Sequence, residues 1–190
     1  MTSSAISAYA ATPARRRTLV VIGIHFLIFS ALMVWMFRVR GASSDWPIPF
    51  EFGSLLMIFA MAMGGFCGSI TMAVAADRAD KGEAEESVRW IAIAISSWLV
   101  FLFLEAVEWV RMVYLVQLGP GTPFGMTYLV ITGAHWLAVI ACVGWFTFCL
   151  ANVRKRDILA SALYSHFLAI WWLVIVFLIY LPNMHPLQDF

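Results

Sequence analysis

The segment FLFLEAVEWVR, Phe101 to Arg111, sets two glutamates and an arginine inside an apolar run of membrane-spanning length. Glu105, Glu108 and Arg111 stand at i, i+3 and i+6, so on a helix consecutive members are neighbours along one stripe. A carboxylate turned to lipid costs roughly 2.5 to 3.5 kcal/mol on insertion scales. The stripe is therefore expected to face protein, and the helix that carries it must have partners. For Glu108 the simplest fate is an ion pair with Arg111 near the helix end. Glu105 lies deeper, and its position leaves open a proton site, a subunit contact or a purely structural role.

Composition extends this reading to the whole chain. Of 190 residues, 63% are hydrophobic and 12% charged, with a mean hydropathy of +0.88, whereas soluble domains carry about 25% charged residues. Spanning the hydrocarbon takes about 20 apolar residues, and five runs qualify: residues 19–37, 52–76, 90–110, 126–151 and 158–181. The expected fold is all-α, an integral membrane bundle of five transmembrane helices over residues 18–182. A mobile basic tail, 1–17, precedes it and a short outer tail, 183–190, follows. The connections are too short for an extramembrane domain, and no nucleotide loop, dinucleotide fingerprint or basic nucleic-acid patch occurs.

Charge sets the orientation. Arg15, Arg16, Arg17, Arg78, Lys81, Arg89, Arg154, Lys155 and Arg156 fall on one side of the predicted spans, and Arg38, Arg40 and Arg111 on the other. The positive-inside rule then places the N-terminus in the cytoplasm and the C-terminus outside. The first run lacks a small-residue cleavage site, with Trp35, Phe37 and Arg38 at its end, and reads as a retained helix rather than a signal peptide. The connection from Asp77 to Glu86 is locally acidic, a solvated helix end or a docking surface for a basic partner.

Small residues recur where helices would meet. Ala60, Gly64 and Gly68 at i, i+4, i+8, and Ala134, Ala138 and Cys142 in the fourth span, suit close backbone approach, which holds helices together where lipid is as apolar as leucine. A lipid tail or cofactor ring against the first of these faces is the alternative. Cys67, Cys142 and Cys149 lie in apolar helices without a CxxC pair, so neither a metal site nor a disulfide is expected.

Three histidines lie within spans, His25, His135 and His166, while His185 is in the tail. His25 and His166 sit at similar depth from the same side at 1.5 Å rise per residue, a placement that permits a single haem b between the first and fifth helices. His135 lies near the level of Glu105 and Glu108 from the other side, which suggests a polar cluster of these three, with a Glu105–His135 hydrogen bond. A stand-alone b-type membrane cytochrome is thus one alternative function. A small proton-coupled transporter built on Glu105 is another, though five spans offer no even inverted repeat and no broken helix.

Three segments in order carry a family likeness: LEAVEW in the third span, ITGAHWLAV in the fourth and YSHFLAIWWLVIVFLIY in the fifth. They resemble the haem-copper oxidase subunit III family, whose members carry an acid-bearing QAxEY or ExxE segment, TGxHGLHV, and WHFxDxxW followed by a tyrosine. Glu105 and Glu108 match the first, Thr132, Gly133 and His135 the second, and His166, Phe167, Trp172 and Tyr180 the third. The likeness spans about residues 20–180, and the five-helix form is similar to that of bacterial ubiquinol oxidases. Ala138 stands where the family has a second histidine and Ala169 where it has an aspartate, and His25 takes the place of an acid opposite Ser30. These departures point to a divergent branch, of which the homologue associated with nitric oxide reductases is a candidate.

The resemblance implies a non-catalytic subunit of a respiratory terminal oxidase or related reductase in the bacterial inner membrane. Such a subunit packs against the large catalytic subunit, binds phospholipid between helices and supports stability and proton uptake. It has no metal or cofactor of its own, haem and copper belonging to the partner.

Overall fold

In a computed structural model the described residues are 13–44, 46–47, 52–153 and 157–183. They form five long helices: α1 Pro13–Ala42, α2 Phe52–Asp80, α3 Ala84–Val110, α4 Pro123–Ala151 and α5 Ile158–Ile175. Helix α3 runs on into a π-helical turn, Arg111–Leu115, and α5 into another, Val176–Tyr180, closed by a 3₁₀ turn at Leu181–Asn183. Each helix is long and apolar enough to cross a membrane, and the chain is an all-α multi-pass membrane protein.

Helix α1 overruns its apolar window at both ends and α2, α3 and α4 each at one, because backbone hydrogen bonding carries a helix past the hydrocarbon into polar turns. Helix α1 starts at Pro13, inside the stretch expected to be a mobile tail, and proline suits a first helical turn. Arg15 Nε then reaches Asp157 at 3.0 Å, while Asp157 caps α5 by accepting from the Ala160 N–H. The first helix is thus tied to the start of the last. Residues 1–12, Asp45, Pro49, Arg154 to Arg156 and the tail from 184, with His185, lie outside the described residues.

Packing explains the arrangement. Half of the apolar window of α5 is buried, against 17% for α1, so α5 is the central helix and α1 the peripheral one. Helices α2 and α3 form the tightest pair; α5 packs on α2, α4 and α1, and α4 on α3. At the α2–α3 seam a Cβ on Gly64 would stand 3.3 Å from the Ser97 carbonyl oxygen, and one on Gly68 would stand 2.5 Å from the Trp98 ring. Gly65 and Gly68 are buried and Gly64 half-buried, but Ala60 is exposed. The i, i+4, i+8 stripe advances about 40° at each step at 3.6 residues per turn, so its first member rotates off the seam. Met61, Gly65, Gly68 and Met72, spaced by three and four, follow the buried face.

The turn into α4 is built by Thr122, which accepts from the Gly125 N–H at 3.0 Å, with Pro123 in the first helical position. The backbone at Leu118 and Gly119 lies directly on that first turn, and a Cβ on Gly125 would collide with the Gly119 carbonyl oxygen. This end of the bundle, with Arg40 and Arg111, is the far end; the end with Arg15, the Lys81–Glu83 turn and Asp157 is the basic end.

Candidate functional site

The buried face of α3 runs Ser87, Ile91, Ala94, Trp98, Phe101, Leu102, Glu105, Glu108, the three-and-four spacing of an amphipathic helix. Both acids share this stripe, so packing the aromatic residues inward carries the carboxyl groups inward too. Glu108 is fully buried and takes a two-pronged contact from Arg111: Nε to Oε2 at 2.8 Å and Nη2 to Oε1 at 2.7 Å. The arginine side chain is 23% exposed. A charge pair held this way satisfies both partners, and removing one leaves the other uncompensated. Arg111 also opens the π-helical turn, its carbonyl accepting from the Val116 N–H. Such turns recur at functional positions in helices.

Glu105 is different. It is fully buried, yet neither carboxyl oxygen meets a hydrogen-bond partner. His135 is equally buried, but its Nε2 pairs with the Leu168 carbonyl of α5 at 3.1 Å, and its Nδ1 has no partner. The direct Glu105–His135 hydrogen bond expected from depth alone is absent. A helical carbonyl has a second lone pair after serving its own ladder, and α5 presents that of Leu168 to the imidazole. The expected trio therefore divides into an ion pair, Glu108 with Arg111, and two orphaned groups.

The aromatic rings around His135 come from three other helices. Its ring centroid lies 5.5 Å from that of Phe101 on α3, 5.5 Å from that of Trp172 on α5 and 6.2 Å from that of Phe29 on α1. Phe101 and Trp172 meet edge-on at 4.9 Å. Toward the far end, the hydroxyls of Tyr128 and Tyr180 are 2.9 Å apart. Thr132 accepts from Trp109 Nε1 at 2.9 Å and donates to the Tyr128 carbonyl at 2.8 Å.

Of the remaining motif residues, Trp172 and Tyr180 are buried in this seam, and Gly133 is half-buried. With Ala134, Trp109 and Trp136, Gly133 lines an open apolar groove of about 520 Å³ on the α3–α4 face. Ala138 is buried. Phe167 stacks on Phe29 and Trp171. His166 pairs through Nδ1 with the Ser69 hydroxyl of α2, and His25 through Nδ1 with the Tyr164 hydroxyl at 3.2 Å. The two rings proposed to share a haem are thus each engaged by a separate hydroxyl. Among the described residues no three His, Cys, Asp or Glu side chains gather as a metal site.

Three contributors escaped the sequence reading: Trp98, which donates to Ser165 at 3.0 Å, Tyr128, and Trp136, which donates to the Leu102 carbonyl at 3.2 Å. A signal existed for two of them. Trp98 is seven residues before Glu105 on its stripe, and Tyr128 is seven before His135.

The chain is similar along most of its length to two groups of curated proteins. It is 24% identical over 173 residues to the quinol oxidase subunit 3 of Bacillus subtilis, covering 87% of this chain and 85% of that one. The Bacillus spizizenii quinol oxidase subunit 3 matches to the same extent. A Mycobacterium tuberculosis protein named "Probable cytochrome c oxidase subunit 3" is 23% identical over 172 residues, 86% of this chain and 85% of its own. No family model matches the chain. The chain is thus similar nearly end to end to proteins named as the third subunit of terminal oxidases.

Proposed function

We propose that this protein is a non-catalytic, subunit III-like component of a respiratory terminal oxidase, seated beside a large catalytic subunit that carries the haem and copper. The observation that carries the reading is similarity over 87% of this chain and 85% of a quinol oxidase subunit 3. Local chemistry agrees with it. The polar residues within the spans are used to join helices, as in Trp98 to Ser165, Trp109 to Thr132 and Tyr128 to Tyr180.

In this reading the chain lies in the bacterial inner membrane with its basic end in the cytoplasm. The groove walled by Trp109 and Trp136 over Gly133 and Ala134 suits a phospholipid acyl chain, because it offers an apolar trough with little polar lining. The contribution to the oxidase is stability and sustained proton uptake rather than electron transfer.

The test is oxygen consumption by membranes from which the chain has been deleted, driven first by quinol and then by reduced cytochrome c. The expected result is that one donor's rate falls or decays faster with turnover, and that the full chain restores it. Unchanged initial rate and unchanged decay with both donors would overturn the reading.

A further inference from the structure

The ion pair and the tyrosine pair leave three buried polar groups of the seam without partners: the Glu105 carboxyl, His135 Nδ1 and Trp172 Nε1. Orphans of this kind are rare in folded proteins, and each calls for an explanation. All three lie along the seam of α3, α4 and α5. The His135 and Trp172 rings stand 5.5 Å apart with Phe101 against both, and Glu105 is one helical turn beyond Phe101 on the same stripe. Side chains lean toward the N-terminus of their own helix. Because α3 and α4 run in opposite directions, this lean brings Glu105 and His135 toward a common level.

We propose that Glu105, His135 and Trp172 enclose an internal water site, one molecule or a short file, in which the carboxyl and Nδ1 share a single proton. The proton count follows from one contact. A carbonyl only accepts, so Nε2 facing Leu168 at 3.1 Å carries the hydrogen, and in a neutral ring Nδ1 is then a bare acceptor. Trp172 Nε1 can only donate. None of the three groups bonds another directly, whereas a water can accept from the indole and bridge the carboxyl to Nδ1, accepting from whichever of the two holds the proton and donating to the other. That makes the three bonds typical of buried water.

The shared proton is either on the Glu105 oxygen, with Nδ1 bare, or on Nδ1, with the carboxylate ionised. Exchange between these forms moves one proton from carboxyl to water and one from that water to Nδ1, leaving the water unchanged. The charged and titratable neighbours are otherwise committed, Glu108 to Arg111 and the hydroxyls of Tyr128 and Tyr180 to each other. The inference does not depend on the identity of the large subunit.

Solid-state NMR of the full chain in phospholipid nanodiscs, with nitrogen-labelled histidine, tests it. The His135 ring is the one whose Nε2–H is bonded to a carbonyl. The expected result is magnetisation transfer from water to that ring, reduced several-fold in Glu105→Leu. In Glu105→Gln, which keeps an acceptor for the water, transfer should persist with a shifted Nδ1 resonance. Should Glu105→Leu fail to fold, Trp172→Phe removes only the indole donor and is expected to weaken the transfer as well. An absent transfer in the wild type, or a transfer and Nδ1 resonance indifferent to both positions, would overturn the proposal.

Discussion

Trp98 lies so close to Gly68 that a single added methyl would stand 2.5 Å from its ring. The same indole donates to Ser165 of α5 at 3.0 Å. One glycine therefore governs how α2, α3 and α5 meet, since the ring wedged over it is also the hydrogen-bond arm to the central helix. Replacing Gly68 by alanine forces the ring aside, and overpacking of this kind costs about 1–3 kcal/mol. Gly23→Ala, at a position with no atom within 4 Å of the added carbon, should be neutral. Denaturant unfolding of the purified chain in mild detergent compares them.

Glu108 and Arg111 form a pair whose carboxylate is wholly buried and whose guanidinium is mostly so. Arg111→Met alone strands the carboxylate, and breaking such a pair costs about 3–5 kcal/mol. Replacing both, Glu108→Gln with Arg111→Met, removes the stranded charge and should recover most of the loss. Unfolding measurements on these two variants and on Glu108→Gln alone give the coupling directly.

The Tyr128–Tyr180 bond, at 2.9 Å between hydroxyls, predicts a smaller effect. Tyr180→Phe should cost about 0.5–1.5 kcal/mol, the usual net worth of such a bond. Adding Tyr128→Phe should cost less than the sum of the single changes, because the shared bond is already gone.

Orientation is open to chemical labelling. In a background with Cys67, Cys142 and Cys149 replaced by alanine, a cysteine at Gly82 and one at Gly121, both in turns, should react from opposite faces of the membrane. Impermeant reagent outside intact cells is expected to label the Gly121 position and spare the Gly82 position. The reverse pattern would contradict the division of Lys and Arg across the spans.

Hydropathy and charge carried the spans, because twenty apolar residues in a row have few other fates. The ion pair of Glu108 was legible for the same reason, since its partner lies three residues along the same helix. Neighbours on other helices were harder. Depth can be counted from a helix end, but which backbone atom faces a side chain depends on rotation about the helix axis. His135 was expected near Glu105 in level, and its Nε2 meets the Leu168 carbonyl, a group with no signature in the sequence. Ala60 shows the same effect on the α2 face, where a four-residue stripe drifts away from the seam that Gly65 and Gly68 occupy.

Assembly into a terminal oxidase is tested most directly by what accompanies the protein out of its native membrane. The full chain, carrying a small affinity tag and extracted in mild detergent, should elute with a larger multi-pass subunit in fixed ratio. The eluate should show a haem spectrum that is unchanged in Glu108→Gln/Arg111→Met if the haem resides in that partner. Elution of the chain without a haem-bearing subunit, under conditions where the membrane's oxidase is otherwise recovered intact, would contradict the account.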